Sequence, residues 1–117
     1  MNNKPTRYYS NKQEKAISKE LKGKQQINSG ATPFYKGDVK TEHFLIEAKT
    51  TTTPQTSFSI KKEWLDKIRN EAFATGTKIP VLAFNFEPNG DNFYILSGRG
   101  MFILRTLLEM EDNKDGE

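Results

Sequence analysis

At 117 residues without a cysteine, the chain has the length of one domain and can form neither a disulfide nor a thiolate zinc site. Charged residues make up 28% and the hydrophobic set 34%, a soluble balance, and no apolar run reaches the roughly 20 residues of a membrane span. The formal charge is +3, but Glu109–Glu117 holds five acids and one base, leaving 17 bases against 10 acids before it. A basic body with an acidic tail points to a polyanionic partner, nucleic acid first. The opening MNNKPTRYYS lacks the apolar core of a signal peptide, so the expected location is the cytoplasm, or the host cytoplasm for a phage-encoded chain.

Met1–Tyr9 reads as a polar arm in which Arg7, Tyr8 and Tyr9 are free to meet a ligand. Ser10 or Asn11 caps a helix to about Leu21, closed by Gly23. Gln25–Ala31 is a first strand, interrupted by the turn-prone Asn28-Ser29-Gly30, and Tyr35–Thr41 with Phe44–Thr50 forms a hairpin about Glu42-His43. Thr51–Ser57 is a loop. A second helix, Ser59 to about Thr75, aligns Ile60, Trp64, Leu65, Ile68, Ala72 and Phe73 on one face. Ile79–Phe86 is apolar on both sides, as a strand covered on both sides would be. Asn92–Leu96 is an edge strand after the Asn89-Gly90 turn. Arg99–Met110 is a last helix, with Phe102, Ile103, Leu107 and Met110 available for burial. The order α-β-β-β-α-β-β-α describes an α/β sandwich of three layers around a mixed central sheet. Residues 10–110 form the domain, and 111–117 an acidic, disordered tail.

The chemistry concentrates in KGDVKTEHFLIEAKTT, Lys36–Thr51. Residues two apart on a strand share a face, so Glu47 and Lys49 lie side by side while Phe44, Ile46 and Ala48 turn to the core. With Glu42-His43 as the turn, Thr41 pairs with Phe44 and Asp38 lies opposite Glu47 on the same side. A slip of one residue moves Asp38 to the other face. Two such carboxylates repel unless a cation lies between them. Mg²⁺, for which Mn²⁺ substitutes, takes a couple of carboxylates with waters and phosphate oxygens. It would polarise a phosphodiester and lower the pKa of a water, which Lys49 could orient or deprotonate.

Glu-x-Lys alone is most often a solvated strand face. Three features add to it: Gly37, which permits close approach, the threonines after Lys49, and Glu14. Glu14 stands three residues before Ile17 and seven before Leu21, on the inward stripe, where a carboxylate needs a partner. Glu20 falls off that stripe and reads as solvated. His43, the single histidine, reads as a turn residue and Trp64 as core. Lys61, Lys62, Lys67 and Arg69 read as a solvated helix face that neutralises phosphates if it flanks the site.

Taken in order, Glu14, Asn28-Ser29-Gly30-Ala31, Gly37-Asp38-Val39 and Ile46-Glu47-Ala48-Lys49 resemble the PD-(D/E)XK nuclease superfamily. Within it they resemble the archaeal-type Holliday junction resolvases and their phage relatives, over about Ser10 to Phe86. The resemblance implies a restriction-endonuclease-like core and a homodimeric, Mg²⁺-dependent endodeoxyribonuclease that cuts four-way junctions and other branched DNA. It implies metal ligation by Asp38 and Glu47, with Glu14 supporting that shell, Lys49 beside the attacking water and Ser29 at the scissile region. Arg7, Lys36, Thr50, Thr51, Lys61 and Lys62 are the expected DNA contacts. Gly37 stands where the family has proline. Two alternatives stay open: another nuclease of this fold, cutting flaps, single strands or duplex, and a non-catalytic basic DNA-binding module.

Overall fold

In a computed structural model the described residues are 4–26, 37–76 and 79–115, and among them eight segments form regular structure. They are α1 (Thr6–Leu21), β1 (Lys24–Gln25), β2 (Val39–Lys40), β3 (Phe44–Lys49), α2 (Lys62–Thr75), β4 (Ile79–Phe84), β5 (Phe93–Ile95) and α3 (Gly98–Asp115). The strands form one five-stranded sheet in the order β1-β2-β3-β4-β5. Neighbours are antiparallel except β3 and β4, which run parallel with α2 as their crossover. The fold is therefore α/β with a mixed sheet.

Alternation along the strands divides the core in two. Val39, Ile46, Ile79, Val81 and Ala83 meet Ile17 of α1, with Ile103, Leu104 and Leu107 of α3 packed against them. On the opposite face Leu45 packs with Ile68 and Ala72 of α2. The sheet thus carries helices on both sides. Among the described residues no helix is long and apolar enough to cross a membrane.

Several boundaries differ from those expected. The first helix begins at Thr6, with the extended Pro5 at its N-cap, so Thr6–Tyr9 are helical rather than an arm. Ser10 lies inside it, and its hydroxyl donates back to the Thr6 carbonyl at 3.3 Å. Lys22, not Gly23, takes the left-handed turn that closes α1. Gly23 is needed for space, since a Cβ there would meet Val39 and Thr41 side chains at 2.8 and 2.9 Å. The second helix starts at Lys62 rather than Ser59. Phe73 is 90% exposed, because five positions from Ile68 is about 140° around a helix. In α3 the expected set is only partly used. Ile103, Leu104 and Leu107 pack inward, whereas Phe102 and Met110 stay exposed and the helix continues to Asp115. Residues 27–36, with Ser29, Lys36 and the remainder of the expected first strand, lie outside the described residues.

Candidate active site

The β2–β3 hairpin is fixed first at its turn. Thr41 N–H donates to the Phe44 carbonyl at 2.9 Å, and Thr41 Oγ1 accepts the Phe44 N–H at 2.9 Å. Val39 then faces Ile46 and Lys40 faces Leu45, the register that a Glu42-His43 turn predicts. One residue further, the ladder changes. Asp38 N–H also addresses Ile46, donating to its carbonyl at 2.8 Å, so two residues of one strand meet one of the other in a bulge. Asp38 Oδ2 accepts the Ala48 N–H at 2.7 Å. The carboxylate therefore docks on β3 between Glu47 and Lys49, rather than simply facing Glu47 across a regular ladder.

Gly37 makes this possible. Its φ of +74° is a left-handed conformation, and a Cβ would lie 2.7 Å from Leu45 Cδ1. A proline, confined to φ near −65°, could not take this conformation. Glu71 Oε1 of α2 accepts the Gly37 N–H at 2.8 Å and holds the turn against the helix.

Charges then gather around Glu47, whose side chain is 8% exposed. Lys49 Nζ lies 3.6 Å and Lys67 Nζ 3.4 Å from the same oxygen, Glu47 Oε2. Lys67 is also 3.7 Å from Glu71 Oε2. Burial pushes the Asp38 carboxyl up to about 7, and the Glu47 charge adds to it, while the Ala48 N–H and Lys67 act the other way. Burial disfavours the Lys67 ammonium, but Glu47 and Glu71 outweigh it and raise its pKa. The Lys49 ammonium sits 4.5 Å above the Trp64 ring, so Trp64 is a cation–π support rather than plain core. Lys61 approaches the same ring at 5.7 Å.

Helix α1 closes the other side. Gln13 Nε2 donates to the Lys49 carbonyl at 2.7 Å and to Asn92 Oδ1 at 3.2 Å. Glu14 is buried, as its stripe predicts, and its Oε1 accepts from Gln25 Nε2 at 3.1 Å. Burial raises the Glu14 pKa; Gln25 and Arg7 oppose that, and Glu47 adds to it. Arg7 thus acts on Glu14. Glu20 is exposed and accepts the Tyr94 hydroxyl at 2.6 Å.

The remaining expected contacts divide. Thr50 Oγ1 donates to the buried Asn85 Oδ1 at 2.9 Å, and Thr51 Oγ1 donates to the Thr53 carbonyl at 2.8 Å, so both hydroxyls shape the loop. Lys62 pairs with Asp66 at 2.8 Å and lines an apolar groove between α2 and the start of α3, away from Lys61 and its Trp64 support. Gln13, Gln25, Lys67 and Glu71 were not singled out as site residues by the sequence. Their signal was spacing: Trp64, Lys67 and Glu71 recur at i, i+3 and i+7 on α2, a stripe facing β3.

Among the described residues no three acids or histidines converge as a metal cluster. The donor set is the pair Asp38 and Glu47, with Glu14 acting as a charged neighbour. A pair is within what Mg²⁺ uses when waters and phosphate oxygens complete its shell. Burial first, and the Glu47 charge second, hold the Asp38 pKa up, and a divalent cation shared by the two carboxylates would relieve both. Comparison with family models, with curated proteins and with solved structures gives no match.

Proposed function

We propose that the protein is a metal-dependent, structure-selective DNA endonuclease that resolves four-way junctions by hydrolysing phosphodiester bonds. One observation carries this reading: the Asp38 carboxylate, fixed on the Ala48 N–H, is destabilised by its burial and then by the neighbouring Glu47, while the Lys49 ammonium stands on Glu47 and over Trp64. Asp38 and Glu47 would hold Mg²⁺ or Mn²⁺, which supplies polarisation of the phosphodiester and a more acidic water. Lys49 orients that water or stabilises charge developing on phosphorus, and Trp64 and Gln13 hold the residue and its strand in place. Glu14 adds negative potential behind the pair. Lys61 and Arg7 supply cations on the flanks.

A homodimer suits a substrate that needs paired, symmetric nicks. The exposed Met101, Phe102, Leu108 and Met110 of α3 offer an apolar surface for it. Phosphate contacts would give salt-sensitive affinity for any DNA, with junction preference arising from the angle between arms.

The test is cleavage of a labelled four-way junction in Mg²⁺, beside duplex and single strand of equal length. Junction-selective nicking that Glu47→Gln abolishes is the expected result. Cutting of all substrates alike would leave a general nuclease of this fold. One observation favours a second reading: Glu47 is already compensated by two lysines, as in a structural ion pair of a DNA-binding module. Binding without metal-dependent nicking would establish that module instead.

A further inference from the structure

Lys67 and Lys49 meet the same oxygen of Glu47, and Lys67 alone has a second acid in reach. Glu71 offers Oε2 to Lys67 at 3.7 Å while its Oε1 holds the Gly37 N–H at 2.8 Å. The ammonium is therefore shared between a carboxylate of the proposed metal pair and one outside it. We infer that Lys67 is a resident counter-cation of Glu47, which a divalent ion displaces onto Glu71, so that this exchange sets the metal affinity of the site. The inference rests on the proposed metal role of Glu47.

The physical argument is one of competition. A buried carboxylate needs a cation nearby, and in the ion-free state Lys67 helps to satisfy Glu47. A divalent ion binding to Glu47 repels Lys67, whose tether on α2 ends 3.7 Å from a second acceptor. Glu71 lies one helical turn further along α2, so the ammonium can retreat by a change of rotamer. Lys49 is supported on Trp64 and stays. The arrangement keeps one lysine for chemistry and lets the other leave.

The experiment is calorimetric titration of the full chain with Mn²⁺, without DNA, so that it reads binding and not cleavage. Wild type should bind, and Glu47→Gln should abolish binding. Lys67→Met, at a side chain 58% exposed and mid-helix, should fold and bind Mn²⁺ about fivefold tighter, the scale of a half-exposed ion pair. Lys67→Arg should keep wild-type affinity. Lys40→Met, which removes a charge from β2 two residues from Asp38, should change affinity by less than about twofold, which excludes a general charge effect. Glu71→Gln still offers Gly37 an acceptor but deprives Lys67 of its retreat, so it should weaken binding. Added to Lys67→Met it should do nothing more, a non-additivity that general electrostatics does not produce. Binding that depends on Glu47 but is unchanged or weaker in Lys67→Met, or a full Glu71→Gln effect without Lys67, overturns the inference and leaves the metal site standing. Absence of Mn²⁺ binding in both wild type and Lys67→Met refutes the metal site itself, and the exchange with it.

Discussion

Toward α1 and α3 the sheet presents Val39, Ile46, Ile79, Val81 and Ala83, nearly without solvent contact. Toward α2 the same β3 strand presents Leu45, then Glu47, then Lys49, and α2 answers each in turn. Ile68 and Ala72 pack on Leu45, Lys67 meets Glu47, and Trp64 lies under Lys49. The first face supplies cohesion by burying apolar area. The second grades from apolar to ionic within five residues, and its polar end is destabilising on its own, since Asp38 is held in a place that disfavours its charge. Holding a carboxylate where burial disfavours its charge costs stability, and the opposite face offsets that cost.

That contrast can be broken most sharply at Glu47. Glu47→Gln and Asp38→Asn should lower junction cleavage in Mg²⁺ by about a thousandfold or more, while DNA binding measured by gel shift survives or tightens. Equal cleavage by wild type and Glu47→Gln would falsify the site. The complementary change is on the dry face, where Ile46→Ala should cost about 3 kcal/mol in urea unfolding, because the cavity opens among fully buried neighbours. A cost under about 1 kcal/mol would show that this face is not the cohesive one.

Asp38 sharpens the comparison through pH. Its folded pKa of about 7 lies above the usual carboxylate value, so between about pH 4 and 7 the folded state binds the extra proton and stability falls as pH rises. A shift of that size corresponds to about 4 kcal/mol at full strength. With solvent at the rim, Asp38→Asn should stabilise the chain by about 2 kcal/mol at pH 8 and by nearly nothing below pH 4. Stabilisation independent of pH would mean that the carboxylate is not strained. Smaller still is the pair Glu14→Gln and Glu20→Gln: the first should reduce cleavage about tenfold through its coupling to Glu47, and the second should leave cleavage unchanged. The reverse order would place the wrong face of α1 toward the site.

The paired part of the hairpin was legible because Thr41 and the two turn residues determine the register, and alternation then orients every residue of β3. The inward face of Glu14 was legible from its spacing to Ile17. The bulge at Asp38 was not, since it depends on the left-handed Gly37 and on Glu71 reaching across from α2, a contact 34 residues away. Lys67 looked solvated because more than half of its side chain is. Phe73 looked buried because it is apolar, yet helical phase sets its direction.

The parallel pairing of β3 with β4 carries a consequence for how the chain reaches this state. The β2–β3 hairpin closes over a two-residue turn, whereas Phe44 meets Ile79 only after α2 has been laid across the sheet. Local pairing of the first kind forms in microseconds, and the crossover must close a much longer loop against chain entropy. Asp38 and Glu47 are therefore brought together early, on a hairpin still lacking Lys67. Lys49 shares that hairpin, so the two acids meet with one of their two lysines, and the other arrives with α2. Divalent ions present during refolding should accelerate the chain at this stage, and Asp38→Asn should remove that acceleration.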